Sequence, residues 1–355
     1  MRILQVGKYY PPVTGGMERV VCELSEGLSR LGHSVHVVVA SIEGPPSREI
    51  RNGVSIARLR SYGQLLSQPL ISGLRDEINQ FKPDIIHFHL PNPLALYLGW
   101  QSEVPTCLTI HALTDSWRKK VDLMLSNPFA KKAQALLFSS QQMHDLWTRE
   151  SGVVDQPAAY VVPFGFNFEY LQPGCQQPQD PQLILFVGRL VRYKGLEVLV
   201  NAMDHVDGHL ALIGSGPLAA KLRALVFAKR LEGKISFLGS VPDAQLGDWY
   251  RRCAVYVQPS IAVESFGISM LEAMSQARPV VSTDLPTGVL EVNLHDKTGL
   301  VIQPSDSFAL SAAINSLLNR PELAQDLGRA AFSHHLKFSS EQMVEAHQKI
   351  YGNII

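Results

Sequence analysis

Cysteine is scarce and scattered: Cys22, Cys107, Cys175 and Cys253 are the whole complement in 355 residues, with no C-x-x-C pair. That excludes a disulfide framework and a zinc ribbon, and fits buried thiols in a reducing compartment, most simply the cytosol. Neither sign of charge is in excess. Lys plus Arg and Asp plus Glu both total 32, and up to residue 170 the balance is 16 against 15, so neither half is a bulk nucleic-acid binder. No apolar run has the ~20 residues of a membrane-spanning helix. The start, Met1-Arg2 followed by Ile3-Leu4-Gln5-Val6-Gly7, is too short for the apolar core of a signal peptide. With low-complexity tracts and short repeats also missing, a globular composition remains, 46% apolar and 18% charged, and long enough for two cores.

Short β-branched runs alternate with longer amphipathic stretches, which predicts parallel sheets covered by helices on both faces. In the first half strands are expected near 2–7, 34–40, 54–60, 84–88, 105–110, 135–139 and 159–163. Between the first two lies a helix at 17–31, where Val20, Val21, Leu24, Leu28 and Leu31 repeat at helical spacing and Gly32 ends the run. The Pro/Gln-rich stretch from Leu171 to Pro181 has no apolar period and marks the expected boundary between domains 1–166 and 167–339. In the second half strands are expected at 183–187, 210–213, 235–238, 255–257, 279–282 and 300–302. Helices are expected there at 193–204, 217–231, 267–276 and 306–318. A final helix over 340–355, opened by Ser340-Glu341 and carrying Met343, Ala346, Ile350 and Tyr351, is expected to pack back on the first domain. Open α/β sheets bind ligands beyond the carboxyl ends of their strands, so the chemistry belongs in the loops that follow strands.

Four such loops stand out. Lys8 to Glu18 joins the first strand to the first helix through Gly15-Gly16, a pair that permits positive φ and close backbone approach to an anion, or simply a tight turn. The strand ending Phe186-Val187 runs into Gly188-Arg189-Leu190-Val191-Arg192-Tyr193-Lys194-Gly195, where Arg offers a planar fork and Lys a point charge to a diphosphate. Gly214-Ser215-Gly216-Pro217 has the look of a dinucleotide fingerprint. The next strand, Ile235 to Leu238, ends in Gly239-Ser240-Val241 with no acidic residue for a ribose, which disfavours a nicotinamide enzyme. Finally, Glu264 and Glu272 stand with seven residues between them, around Phe266-Gly267-Ile268. If a helix opens there, the two carboxylates serve different parts of one elongated, hydroxyl-rich ligand, whereas facing glycosidase carboxylates normally come from separate segments.

Taken in order, Gly15-Gly16-x-Glu18, Phe186-Val187-Gly188-Arg189-x5-Gly195, Gly214-x-Gly216-Pro217 and Glu264-x7-Glu272 resemble the GT-B glycosyltransferases of family 4. Asp84-Ile85-Ile86-His87-x-His89, Thr109-Ile110-His111, Val162-Pro163-Phe164-Gly165 and Thr298-Gly299-Leu300-Val301 fit as well, so the likeness spans most of the chain. The resemblance implies two Rossmann-like doubly wound domains facing across a cleft. It implies a retaining hexosyltransferase that moves a sugar from a nucleotide diphosphate to a glycan or lipid-linked saccharide in surface-polysaccharide synthesis.

By the same resemblance Arg189 and Lys194 meet the diphosphate, Glu272 the ribose, and the backbone at Val241 the nucleobase. Glu264 and the amides of Phe266, Gly267 and Ile268 hold the transferred sugar, Gly15, Gly16 and Gly214 line the donor, and His111 approaches the sugar from the other domain. No D-x-D pair is present to carry a divalent ion, so metal independence and no cofactor are expected. His87 and His89 share one strand face without an evident third ligand for zinc, and packing or acceptor-side hydrogen bonding is expected of them.

Trp117-Arg118-Lys119-Lys120, followed by Val121, Leu123 and Met124, is expected to be an amphipathic helix on its own sheet. Contact with anionic lipid is the alternative, in keeping with a lipid-linked acceptor and a peripheral place at the cytoplasmic face of a membrane. Two departures concern specificity. Leu285-Pro286-Thr287-Gly288-Val289-Leu290-Glu291-Val292-Asn293 replaces the usual Gly-Gly-x-x-Glu, as in family members using GDP-mannose-type donors, and Asn167 replaces an acidic residue after Val162-Pro163-x-Gly165. A phosphorylase or epimerase on the same plan, and a catalytically silent nucleotide-sugar binding module, are the competing readings.

Overall fold

A computed structural model describes the chain except for residues 14, 43, 66, 67, 102, 114, 115, 154–156, 169, 170, 172–179 and 263, and the side chains of 65 and 116–118. It divides into two compact units, residues 1–167 with 338–355, and 168–337. Most of the Leu171–Pro181 stretch lies outside the described residues.

The first unit contains β1 (Arg2–Val6), α1 (Gly16–Arg30), β2 (Ser34–Ala40), β3 (Ser47–Arg51), β4 (Val54–Leu59), β5 (Ser61–Leu65), β6 (Gln68–Ile71), α2 (Leu74–Phe81), β7 (Ile85–Leu90), α3 (Pro93–Gly99), β8 (Thr106–Ile110), α4 (Ser116–Ala130), β9 (Ala135–Phe138), α5 (Gln141–Ser151) and β10 (Ala158–Val161). Its sheet runs β10-β9-β8-β7-β1-β2-β4-β3. Parallel pairing holds everywhere except at the edge, where β3 pairs antiparallel with β4. That edge strand was not expected, because all five residues of Ser47–Arg51 are exposed and show no apolar alternation. The separate β5-β6 ribbon was missed as well. Central strands are buried and mostly apolar, as sheets covered on both faces require, with Gln5, His36, His87, His89 and Thr109 as buried polar exceptions, and Leu4, Val6, Val38, Ile86, Phe88, Leu108, Leu136 and Trp147 form one core.

The second unit contains β11 (Leu183–Val187), α6 (Leu196–Ala202), β12 (His209–Ile213), α7 (Ala219–Ala228), β13 (Ile235–Gly239), α8 (Asp243–Arg252), β14 (Val255–Gln258), α9 (Ile268–Ser275), β15 (Val280–Thr283), α10 (Val289–Val292), β16 (Gly299–Ile302), α11 (Ser307–Leu318) and α12 (Pro321–His335). Its sheet, β13-β12-β11-β14-β15-β16, is parallel throughout. The helix expected over 193–204 is interrupted: Arg192–Lys194 forms one 3-10 turn, and Gly195 at φ 67° restarts the chain as α6. Helices α8, α10 and α12 were not anticipated.

The last helix, α13 (Ser340–Ile354), belongs to the first unit and is capped by Ser339, whose side chain accepts from the Gln342 amide. It lies against α1 where Gly27 leaves room for Val344. Among the described residues no helix is long and apolar enough to cross a membrane. On α4, Lys119 is tied to Glu150 of α5 at 2.7 Å, which anchors that face of the helix to its own unit, while Met124 is exposed.

The α1–α13 contact predicts a sign change. Gly27→Ala drives a Cβ into Val344 and should cost about 1–3 kcal/mol. In a Val344→Ala background the same change should be neutral or stabilising, since Ala is the better helix former by about 1 kcal/mol. Urea unfolding of the four proteins measures this, and equal costs in both backgrounds would contradict the packing.

Candidate functional site

In the second unit the strand order reverses between β11 and β14, the place where doubly wound sheets bind ligands. The loops leaving these strands are pressed together: the Ile261 amide donates to the Tyr193 carbonyl at 2.8 Å, and a Cβ on Gly195 would collide with the Pro259 carbonyl. Lys194 and Glu264 thereby meet in a buried ion pair, each 9% exposed. The pair is braced from β14. Gln258 Nε2 donates to Glu264 Oε2 at 2.7 Å and Ser260 Oγ donates to the same oxygen at 3.2 Å, while Tyr256 donates to Gln258 Oε1 at 2.7 Å. The bonds from Lys194, Gln258 and Ser260 all converge on Oε2, which leaves Glu264 Oε1 outside the brace. Lys194 spends one of its three N–H donors on the pair.

Arg189 is exposed and donates to the Tyr193 hydroxyl at 3.0 Å, on the same loop as Lys194 but apart from the buried pair. The Gly188–Leu190 exit lies beside the Gly214–Gly216 turn, with Gly188 N to Ile213 O and Leu190 N to Ser215 O both at 2.9 Å. Gly214, at φ 132°, admits the Gly188 carbonyl where a Cβ would stand, so this glycine first serves backbone against backbone. The Gly214 amide donates to Gly239 O at 2.7 Å, and Val241, half-buried, follows two residues beyond β13.

Gly267, at φ 86°, caps α9, which starts at Ile268. Phe266 is buried, and in the first turn of α9 the Met270 amide donates to Gly267 O at 2.9 Å, while the amides at the very start of a helix have no partner within it. Glu272 is no exposed helical acid: it is 5% exposed and accepts from Tyr250 at 2.5 Å. From the variant segment, the Gly288 amide donates to Ser265 O at 2.9 Å, beside the Glu264 loop. Asn293 instead ties β15 to β16 through Val280 O and Leu300 O, which makes its role architectural.

In the first unit the strand order reverses between β1 and β7. Gly15 and Gly16 open α1, but neither takes positive φ. Gly15 is extended at φ 177°, and the Glu18 carboxylate, the mobile end of a long side chain, folds back over it. His111 follows β8, its amide bonded to Leu90 O at 3.0 Å and its ring stacked on Phe164 at 4.9 Å. His89 is wholly buried with both ring nitrogens engaged, Nδ1 to His111 Nε2 and Nε2 to Gln5 Oε1, each at 2.8 Å, so it can reach a ligand only through His111. His87 bonds Thr109 at 2.7 Å and Tyr351 of α13 at 2.6 Å. Among the described residues no group of three or more His, Cys, Asp or Glu is arranged to hold a metal.

The sequence did not single out Gln258, Ser260, Tyr256, Tyr250 or Gln5, and showed Tyr351 only as part of an apolar helical spacing. The available signal was a polar residue closing an apolar strand, as in Val255-Tyr256-Val257-Gln258, where burial demands a partner.

Removing one member of a buried pair strands the other. Lys194→Met should lower stability by about 3–5 kcal/mol, and Lys194→Met/Glu264→Gln should lose less than the sum of the single changes in urea unfolding. Additive losses would show the two to be uncoupled.

Burial holds the histidine rings neutral: His111 falls to about 3, His347 to about 4, and His87 and His89 well below the ordinary value. The unfolded chain takes up protons at these rings from about pH 6.5 downward while the folded chain does not, so stability falls with acidification between pH 6.5 and about 4. Each ring contributes up to about 1.4 kcal/mol per pH unit. Urea midpoints from pH 7 to 4.5 measure the slope, and His347→Phe should flatten it.

Known proteins agree with this architecture. A family model described as Glycosyltransferase Family 4 matches residues 14–170, and one described as Glycosyl transferases group 1 matches 171–334. The chain is 29% identical to an O-antigen chain mannosyltransferase of Escherichia coli over 100% of this chain and 99% of that protein. It is 29% identical to a D-rhamnosyltransferase of Pseudomonas aeruginosa over 93% and 90%. Sucrose-phosphate synthase of Thermosynechococcus elongatus superposes with a TM-score of 0.85 at 23% identity, covering 99% of this chain and 98% of that one. Anabaena HepE, solved with UDP, superposes at 0.82 and 17%, covering 99% and 100%. With its two matched halves covering residues 14–334 and both units built on parallel Rossmann-like sheets, the chain belongs to the family 4 glycosyltransferases of GT-B fold.

Proposed function

We propose that this glycosyltransferase transfers a mannose-type hexosyl unit, with retention, from a nucleoside diphosphate to a saccharide acceptor, free or lipid-linked, in surface-polysaccharide synthesis in the cytoplasm. The observation that carries this is the Lys194–Glu264 pair at the strand-order reversal, with one carboxylate oxygen saturated and, among the described residues, two ammonium protons unspent. The mannosyl and rhamnosyl relatives, together with Thr287-Gly288 beside the Glu264 loop, favour a GDP-linked donor of the manno series.

On this reading Lys194 turns its remaining N–H groups to the diphosphate and Arg189 swings from Tyr193 to the same oxygens. Glu264 Oε1 accepts from a sugar hydroxyl, assisted by the α9 first-turn amides, and Glu272 accepts from the ribose. Breaking the bond from the anomeric carbon to the diphosphate oxygen leaves positive charge on the ring and negative charge on the nucleotide. Fixed cations stabilise the latter, each such donor worth on the order of 3 kcal/mol. The acceptor oxygen bonds the anomeric carbon on the face the nucleotide leaves, and its proton passes to the departing phosphate. These cations take the part that an aspartate-bound divalent ion takes elsewhere, so chelator should leave the rate unchanged.

A thermal-shift panel of GDP-, UDP-, ADP- and dTDP-sugars tests the donor: ligand at one hundred times its dissociation constant stabilises by about 2.7 kcal/mol. GDP-mannose or GDP-rhamnose should give the largest shift, and Arg189→Ala should lower turnover by about 100-fold while leaving the fold intact. A UDP-sugar preference would overturn the donor assignment. Binding without transfer to any saccharide acceptor would make the protein a silent binding module.

A further inference from the structure

One line of hydrogen bonds crosses the first unit from β8 to α13 and back. His111 Nε2 meets His89 Nδ1 and His89 Nε2 meets Gln5 Oε1, both at 2.8 Å, and Gln5 Nε2 meets the Tyr351 hydroxyl at 3.2 Å. Tyr351 continues to His87 Nδ1 at 2.6 Å, and His87 Nε2 to Thr109 Oγ1 at 2.7 Å. All six side chains are at most 4% exposed, so no water relieves a misdirected proton.

The line has a direction. A neutral imidazole carries one N–H, so His89 and His87, bonded at both nitrogens, each donate at one end and accept at the other. Gln5 fixes which end: its carbonyl accepts from His89 Nε2, and its amide nitrogen donates to Tyr351. His89 Nδ1 is therefore bare and accepts from His111 Nε2–H. On the other side the Tyr351 proton goes to His87 Nδ1, and His87 Nε2–H to Thr109. Among the described residues nothing bonds His111 Nδ1, which is left with its lone pair. Turning the Gln5 amide over would reverse every bond and place the proton on His111 Nδ1 instead.

We propose that Gln5, His89 and Tyr351 are positioning residues that hold His111 as its Nε2–H tautomer, so that Nδ1 accepts a hydrogen bond from a hydroxyl of the bound donor sugar. The sugar contact rests on the function proposed above; the tautomer does not. The last helix, joined to the sheet through Tyr351, thus belongs to the machinery of the site as well as to the packing of the unit.

Long-range proton–nitrogen NMR of protein labelled with nitrogen-15 histidine reads the tautomer directly, with His111 assigned by its loss in His111→Ala. The expected result is a single neutral ring protonated at Nε2. Tyr351→Phe should give mixed or Nδ1-protonated His111 and a kcat lower by roughly tenfold, the low end for partners that orient a working histidine, with donor KM within about twofold. Gln5→Met should do the same and stands in if Tyr351→Phe fails to fold. Thr109→Val, which cuts only the far end, should leave His111 and kcat unchanged, and a fall equal to that of Tyr351→Phe would indicate general core damage and overturn the proposal. So would a parent His111 protonated at Nδ1, or an unchanged tautomer in both Tyr351→Phe and Gln5→Met. An unchanged kcat in His111→Ala would remove the sugar contact, and with it the function assigned to His111, while the tautomer measurement still decided whether the chain sets the ring.

Discussion

The Lys194–Glu264 pair is an expensive way to join two loops. Each ion gives up its water at a cost of several kcal/mol, and packed apolar side chains in the same space would hold the loops as well or better. The second unit nevertheless arranges much of its ligand-facing end around the pair. Gly195 yields the volume of a methyl group to bring the loops together, β14 ends in a glutamine in place of another valine, and Ser260 and Tyr256 complete the brace. Such a construction makes physical sense where a second polyanionic group arrives to share the ammonium protons. In the proposed function Glu264 Oε1, which has no hydrogen-bond partner among the described residues, is left for that ligand.

The first unit solves a different electrostatic problem. Its polar line holds no formal charge: burial keeps the rings of His87, His89, His111 and His347 neutral, and pushes the Tyr351 hydroxyl well above its ordinary pKa. In the proposed reaction positive charge grows on the sugar. A protonated imidazole beside it would oppose that charge, whereas a neutral ring presenting a lone pair would not.

How far these features could be seen in the sequence follows from the range over which each is determined. Strands β1, β2, β7 and β8 are mostly apolar, and the loops that carry Arg189, Lys194 and Glu264 follow strand ends, so the strands and the placing of these loops were legible. Strand β3 was not, because Ser-Arg-Glu-Ile-Arg is an edge that never enters the core. The break at Gly195 was hidden by an apolar spacing that continues across it. The histidine line was out of reach altogether: His87 and His89 could be placed on one strand face, but their partners Gln5 and Tyr351 lie near opposite ends of the chain and meet only through β1 and the returning α13.

The glycine loops show what the structure adds to such a reading. Gly15-Gly16 permitted positive φ or a tight turn, and Gly15 is extended, with the mobile carboxylate of Glu18 folded over it. Gly214-Ser215-Gly216 imitated a dinucleotide turn, yet Gly214 faces the Gly188 carbonyl and Gly216 faces that of Leu190. A missing side chain records only that other atoms stand nearby, and in both loops those atoms are the protein's own. The Gly214 turn still helps to shape the site, because by holding the β11 exit close it fixes the loop on which Arg189 and Lys194 sit. Its contribution to any ligand passes through those cations, which is why the acidic residue of a dinucleotide site could be absent from the end of β13 without leaving the turn purposeless.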